Sequence, residues 1–306
     1  MPSPARSLGP SVLAVMLMLC LSWGVQNVAI KITLVGFAPM VQMALRSLFA
    51  AAMIWLWARL SGKGRLVVLD GSARWGLLAG ALFAAEFVLL YFSLQLTTVI
   101  RATLFLYTAP FFVALGGWFA LPEERLRPLQ WLGLVLSFAA VALALGTPQS
   151  LGAGGSLLGD LMALGAGVGW GATTLVIKAS PLRFAPAERT LFYQLAVCAV
   201  VGVLAAALAG EGLPAAPPAI AIGALAYQTL WVAGITYLIW FQLLARHPAG
   251  PLQTATTMTP LFGVVAAHLI LGEAITATFA AAVALLVVGL LLVNWPVRKA
   301  APAPAG

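Results

Sequence analysis

The sequence predicts an all-α integral membrane protein of ten transmembrane helices, arranged as two inverted five-helix repeats. Three observations predict it. Charged residues are only 8% of the chain against 62% hydrophobic residues, whereas soluble domains carry roughly 25% charge. The apolar residues fall into stretches close to the roughly 20 residues a helix needs to cross the hydrocarbon core. Several sequence landmarks recur in the same order in both halves of the chain.

Cutting the chain at charges, prolines and Gly/Ser clusters places the stretches at about 10–31, 38–59, 75–96, 97–121, 129–146, 157–178, 186–209, 219–244, 251–271 and 276–295. The first has Arg6 ahead of an apolar run, but no small-residue cleavage site follows, so it is read as a membrane helix rather than a signal peptide. Leu19 before Cys20 likewise argues against lipoprotein processing. Segments such as Ala280 to Val293 are continuously apolar, whereas a membrane-barrel strand alternates, so helices are expected throughout. The connections are short, and none can hold a separate soluble domain. Cys20 and Cys198 each lie inside an apolar run and define neither a disulfide framework nor a metal site. Gly165, Gly167, Gly169 and Gly171 lack the Lys-Ser/Thr ending of a phosphate loop and fit helix packing in a membrane. No cofactor is expected.

Basic residues orient the helices. With the N-terminus inside, Arg6, Arg59, Lys63, Arg65, Arg74, Arg125, Arg127, Lys178, Arg183, Arg189, Arg246, Arg298 and Lys299 all fall on inner segments. Only Lys31 and Arg101 mark outer ends, and Arg46 lies within a helix. Cytoplasmic loops carry such an excess of Lys and Arg, so both termini are expected in the cytoplasm. The same bias accounts for the net charge of +8 without a nucleic-acid partner. The expected partners are membrane lipid and a small-molecule substrate; the oligomeric state is open, a monomer included.

The internal repeat is carried by four landmarks. Trp23-Gly24 with Ile30-Lys31 recurs as Trp170-Gly171 with Ile177-Lys178, and Phe37-Ala38-Pro39 as Phe184-Ala185-Pro186, both at an offset of 147. Tyr91-Phe92 with Leu94 matches Trp240-Phe241 with Leu243 at 149, and Pro110 with Glu123 matches Pro260 with Glu273 at 150. Five helices per repeat is an odd number, so the halves must enter the membrane upside down relative to one another. That arrangement supplies a route to alternating access, because exchanging the conformations of the halves exchanges the open side.

Trp23-Gly24-Val25-Gln26-Asn27-Val28-Ala29-Ile30-Lys31, followed by Phe37-Ala38-Pro39 and Arg46, resembles the start of an EamA domain. The second half repeats the Trp-Gly…Lys and Phe-x-Pro elements and ends on Gly272-Glu273, also similar to that domain. The resemblance implies two EamA repeats, 10–146 and 157–295, in the drug/metabolite transporter superfamily. It further implies a multi-pass bacterial inner-membrane exporter of amino acids or other small metabolites. Length, the basic N-terminus and the many Trp and Tyr residues most resemble the YddG branch, which exports aromatic amino acids. Two departures stand out. Leu121-Pro122-Glu123 replaces the usual Gly-Glu in the first half, and Tyr193 occupies the repeat-equivalent of Arg46, which makes the halves functionally unequal.

Ionisable groups at bilayer depth cost at least about 2.5–3.5 kcal/mol each, so they face a partner or a cavity. Arg46 lies roughly 12 Å from the outer start of its helix and Glu86 roughly 16 Å from the inner start of the next, at 1.5 Å per residue. The pair is expected to face the interior, bonded together or holding the carboxylate and amine of a zwitterionic substrate. Trp23, Tyr91, Tyr107, Trp170, Tyr227 and Trp231 are aromatic candidates for the substrate site. Tyr227, Trp231 and Gly234 share a helix face at i, i+4 and i+7. Gln26 and Asn27, with Gln253, Thr254, Thr256 and Thr257, add polar capacity. Pro110 and Pro260 kink equivalent helices and are candidate hinges, and the resemblance adds Lys31 and Lys178 as gate or end-cap residues. Arg101, Glu188, Arg189 and Asp160 are read as separate helix-end charges, and His268 as a lone histidine.

An intramembrane enzyme is the competing class, but with only His247 and His268, and Asp only at 70 and 160, no paired catalytic motif is present. No nucleotide-binding domain supports ATP-driven transport, and a channel would need a continuous polar pore. A transporter is therefore expected rather than an enzyme, with drugs or other metabolites as the alternative cargo.

Overall fold

The computed structural model describes residues 9–62, 65–68, 70–120, 127–146, 156–247, 252 and 255–294. Glu123, Gln253, Thr254 and the basic residues Arg6, Lys63, Arg125, Arg298 and Lys299 lie outside them. The described residues form helices and no strands: α1 (Pro10–Thr33), α2 (Pro39–Leu60), α3 (Ala73–Leu96), α4 (Val99–Leu106), α5 (Ala109–Ala120), α6 (Pro128–Leu145), α7 (Leu157–Ala179), α8 (Ala187–Leu208), α9 (Ala219–Ala226), α10 (Tyr237–Arg246), α11 (Thr259–Leu271) and α12 (Ala277–Val293). A π-helical segment, Tyr227–Thr236, joins α9 to α10. Eight stretches are long and apolar enough to cross a membrane, with Val99–Phe119 counted as one, and Thr259–Leu271 and Ala277–Val293 are shorter apolar helices.

Helix starts follow local chemistry. Prolines sit in the first turns of α1, α2, α6 and α11, where the missing N–H has no intrahelical partner in any case. Ser156 and Thr276 cap α7 and α12 through their hydroxyls. Leu13, Leu17 and Leu21 on α1 and Val200, Val203 and Leu204 on α8 are exposed. That exposure is the expected condition of a helix bundle whose outer solvent is lipid.

Three of the expected stretches are not single even α-helices. The stretch 97–121 is interrupted by a turn at Tyr107 and Thr108, and 251–271 by a turn at Thr257 and Met258. These breaks are 150 residues apart, and each lies just ahead of its proline, Pro110 or Pro260, because a proline ring crowds the carbonyl one turn back and supplies no N–H to it. The third is the π segment, where an even α-helix was expected.

Packing is paired across the halves. α2 lies on α8, α6 on α12 and α4 on α11; α3 lies on α7 as α9 lies on α1, and α4 and α5 lie on α7 as α11 lies on α1. Small residues allow the close approaches. A Cβ on Gly24 would stand 2.8 Å from the Phe262 Cβ, and one on Gly171 would stand 2.8 Å from the Phe112 Cβ. Gly24 and Gly171 are separated by the repeat offset of 147 and Phe112 and Phe262 by 150. The glycine run of α7 packs as expected from its spacing: Gly165 and Gly169 meet Leu89 and Glu86 of α3, while Gly167 meets Phe105 and Thr108.

Candidate functional site

Arg46 is fully buried in α2, and none of Nε, Nη1 and Nη2 makes a hydrogen bond of good geometry among the described residues, although the Tyr91 hydroxyl lies close by. Its guanidinium carbon stands 4.3 Å from the centroid of the Phe87 ring on α3, a cation–π contact that offsets only part of the lost hydration. Glu86, next to Phe87, is 5% exposed, and its Oε2 is also unpartnered. The two groups interact electrostatically without a direct hydrogen bond. The direct pairing considered from sequence is thus not realised in this state. Burying a charge without a bonded partner costs several kcal/mol.

One set of polar groups beside them is, by contrast, bonded together, although the buried Ser47 and Ser93 hydroxyls are also without a partner among the described residues. The Tyr91 hydroxyl donates to the Gln228 carbonyl oxygen at 2.9 Å. The Gln228 amide donates to Gln42 Oε1 at 2.8 Å and to Thr33 Oγ1 at 3.1 Å. Gln42 donates onward to the Ile30 carbonyl at 3.4 Å. This network ties α1, α2, α3 and the π segment together beside Arg46, and a fully bonded buried network rigidifies its surroundings. Gln42 and Arg46 stand four residues apart on one face of α2, and the sequence carried that signal. Gln228 sits beside Tyr227 in an apolar run, where a lone amide is costly unless bonded.

Aromatic side chains flank the charged pair in two groups. Tyr107 and Trp170 meet edge to face with centroids 5.5 Å apart. On the other side, the Trp23 ring lies 6.1 Å from Tyr237 and 5.6 Å from Trp240, and its Nε1 donates to Thr236 Oγ1 at 2.9 Å. Tyr107 and Tyr237 both lie within electrostatic range of Glu86, which connects the groups. Tyr227 and Trp231 share a partner on α1: the Tyr227 hydroxyl donates to the Ser22 carbonyl and Trp231 Nε1 to Ser22 Oγ, each at 2.9 Å. Gly234 does not continue this face; a Cβ there would stand 2.6 Å from Met53 Cε of α2. The wider π-helical turn redistributes the i, i+4, i+7 positions.

Gln26 is buried, and Asn27 donates to Thr103 Oγ1 at 3.1 Å. Lys31 lies away from the centre, its ammonium on the Leu94 and Thr97 carbonyls, and Lys178 lies in the last turn of α7. Arg101 and Asp160 are not separate helix-end charges. They are 2% and 0% exposed and form a buried ion pair, with Nη2 2.5 Å from Oδ2 and Nε 3.0 Å from each carboxylate oxygen. The apolar setting favours the pairing, since leaving either charge buried without its partner is costly. On the opposite side of the bundle Asp70 accepts from the Ser72 amide at 2.8 Å and lies 3.4 Å from Arg189. The Ser72 hydroxyl and amide, with a smaller contribution from Arg189, hold the Asp70 carboxyl below its ordinary range.

A cavity of about 320 Å³ opens between α1, α9 and α11. Its walls, which include Val25, Val28, Ile220 and Ile270, are apolar apart from Tyr227, so it offers little to a polar solute. No group of three or more His, Cys, Asp or Glu able to hold a metal occurs among the described residues.

Apolar helices of membrane-spanning length around a charged, aromatic interior define a multi-pass membrane protein. The chain matches the EamA-like transporter family over residues 10–146 and 157–295, and it belongs to that family. It is 27% identical to an uncharacterized transporter of Synechocystis sp. (strain ATCC 27184 / PCC 6803 / Kazusa), over 89% of this chain and 86% of that one. It is 26% identical to an uncharacterized transporter of Archaeoglobus fulgidus (strain ATCC 49558 / DSM 4304 / JCM 9628 / NBRC 100126 / VC-16), over 83% and 86%. A shorter match, 27% identical, covers 60% of this chain and 59% of the uncharacterized transporter YvbV of Bacillus subtilis (strain 168). A solved structure described only as a crystal structure of a protein shares the fold, with a TM-score of 0.65 at 21% identity over 93% of this chain and 97% of that one. Family and relatives point to a membrane transporter rather than an enzyme.

Proposed function

We propose that this protein is a secondary transporter of the bacterial inner membrane, with both termini cytoplasmic, that exports amino acids, aromatic ones included, by alternating access. Arg46 receives the substrate carboxylate, and Glu86 receives its ammonium group. Trp23, Gln26, Tyr91, Tyr107, Trp170, Tyr227 and Trp231 surround the side chain.

The observation that carries this reading is the buried Arg46 guanidinium, none of whose three nitrogens makes a hydrogen bond of good geometry among the described residues. A guanidinium is always charged, and its planar fork matches a carboxylate in two parallel bonds. Such a group is retained against its desolvation cost where a ligand completes it. The nearby carboxylate, itself short of a partner, supplies the complementary half for a zwitterion, and flat ring faces suit an aromatic side chain.

The inverted five-helix repeat is supported by the matched breaks ahead of Pro110 and Pro260 and by the interhelix contacts that recur with the halves exchanged. Pro110 and Pro260 serve as symmetric hinges. The replacement of Arg46 by Tyr193 in the second half leaves one binding arginine, and the Tyr193 hydroxyl is instead spent on the Val68 carbonyl at 3.2 Å.

Purified protein in liposomes, given a panel of labelled amino acids with and without an imposed pH gradient, tests this reading. Saturable uptake of at least one aromatic amino acid is expected. Uptake independent of the gradient would exclude obligatory proton coupling, and failure on every amino acid would overturn the substrate class.

A further inference from the structure

Gln228 and Tyr237 bracket the π segment and meet the same three helices. Gln228, fully buried, bonds to Thr33 of α1, Gln42 of α2 and Tyr91 of α3. Tyr237 is half-buried, with its ring 6.1 Å from that of Trp23 on α1, and it stands within electrostatic range of Arg46 on α2 and Glu86 on α3. The interval from 228 to 237 is about two and a half turns of an α-helix at 3.6 residues per turn. An α-helix would therefore point the two side chains in opposite directions.

The outer face of the segment shows the same winding. Leu230 is 49% exposed, and positions i and i+7 share an α-helical face, so on an α-helix Tyr237 would follow Leu230 toward lipid. Instead Ile235 takes that face at 40% exposure, while Val232 and Ala233 between them are fully buried. The step from Leu230 to Ile235 is the i to i+5 repeat of a π-helix. The wider turn thus carries Tyr237 round from the lipid face to the interior.

There Tyr237 meets both parts of the candidate site. Its ring lies against Trp23, which also packs on Trp240, and Tyr107 lies within its electrostatic range. Its hydroxyl makes no hydrogen bond among the described residues. The geometry points to Tyr237 as a specificity-determining residue of the substrate site: its hydroxyl donates to the carboxylate that Arg46 receives, and its ring lies along an aromatic side chain. The π segment is what presents it, since the same sequence wound as an α-helix would turn the phenol to lipid. The contact with substrate rests on the amino-acid reading, whereas the inward register of Tyr237 does not.

Thiol labelling in proteoliposomes tests the register, and substrate protection tests the contact. In a chain carrying Cys20→Ala and Cys198→Ala, Tyr237→Cys and Ile235→Cys are treated with a small charged methanethiosulfonate, which reacts with thiols in contact with water rather than with thiols facing lipid. Tyr237→Cys is expected to react about tenfold or more faster than Ile235→Cys. Equal rates, the reverse order, or no reaction at either position overturns the inward register whatever the transport assay gives. Saturating tryptophan should slow the reaction of Tyr237→Cys, and tryptamine, which lacks the carboxylate, should not. In the chain with both native cysteines, Tyr237→Phe should raise KM for tryptophan counterflow about tenfold, the size of one charge-assisted hydrogen bond, with kcat near that of wild type. Absent protection or an unchanged KM, beside wild-type protein that does show tryptophan counterflow, overturns the contact with substrate. Wild-type protein with no counterflow of any amino acid defeats the substrate reading and the contact together, and the labelling pattern still decides the register.

Discussion

The Arg46 guanidinium lies over the Phe87 ring, 4.3 Å from its centroid, while the carboxyl group of the adjacent Glu86 leaves Oε2 without a bond. A guanidinium and a carboxyl group held close together, each incompletely bonded, leave solvation that a zwitterion can recover. Function and stability are then expected to oppose each other at this position. Arg46→Met should abolish amino-acid counterflow while thermal stability in detergent stays level or rises, because an unpaired buried charge is replaced by an apolar chain of similar length. Arg46→Lys keeps the charge but loses the fork, and a fall in kcat/KM of about tenfold or more is expected from losing a charge-assisted bond worth about 1.5–3 kcal/mol. A marked loss of stability in Arg46→Met would make the residue structural.

Arg101 and Asp160 give the contrasting case. Their ion pair is direct, buried and further bonded to Thr97 and the Ala144 carbonyl. Asp160→Ala should destabilise the folded protein by about 3–5 kcal/mol, the usual cost of stranding one buried partner. The double replacement Arg101→Met with Asp160→Leu should recover most of that loss. Thermal unfolding in one detergent across the three variants measures it, and an Asp160→Ala protein as stable as wild type would contradict the buried pair.

The matched glycines make a prediction about the repeat. Gly24→Ala and Gly171→Ala each place a methyl group 2.8 Å from a phenylalanine Cβ in the partner helix. Each should cost about 1–3 kcal/mol, as overpacking does, and the two losses should be similar. A Gly24 variant much weaker or stronger than its Gly171 counterpart would break the correspondence between the halves.

Asp70 supplies a pH dependence. Its folded pKa is depressed, chiefly by the Ser72 hydroxyl and amide, so its stabilising contribution is fully present above the unfolded value near 3.9. The contribution is lost as pH falls through the lower folded value. Asp70→Asn should therefore lower the thermal midpoint at pH 7, and the gap from wild type should close as the pH falls below the ordinary carboxylate range and through the lower folded value. A gap that stays constant across that range would separate the stabilisation from the carboxylate's charge.

Trp231→Ala probes the aromatic surroundings. Removing the indole takes a donor from Ser22 Oγ, which keeps its bond to the Met18 carbonyl, and opens space beside α1, so the ranking of amino acids as competitors in counterflow should change. An unchanged ranking would remove Trp231 from the substrate site.

The all-helical character and the apolar spans were legible because runs long enough to cross a bilayer obey a one-dimensional rule. Pro110 and Pro260 likewise announced breaks that depend only on local backbone chemistry. The burial of Arg46 and Glu86 was legible too, since any charge at that depth stands out against apolar neighbours; that they do not bond directly was not. What sequence could not supply was partnership. Arg101 and Asp160 are 59 residues apart in the chain, and Glu273 meets Val99 across 174. The π segment was hidden because its composition matches that of an ordinary helix, whereas its bonds to Ser22, Gln42 and Thr33 come from distant parts of the chain.

The most direct test of the central claim is counterflow of labelled tryptophan in liposomes, with competition by unlabelled tryptophan and by tryptamine, which keeps the ring and amine but lacks the carboxylate. Wild-type protein should show saturable counterflow that tryptophan suppresses and tryptamine does not, and Arg46→Met should show none. Equal suppression by both compounds, or full counterflow in Arg46→Met, would contradict carboxylate recognition by Arg46.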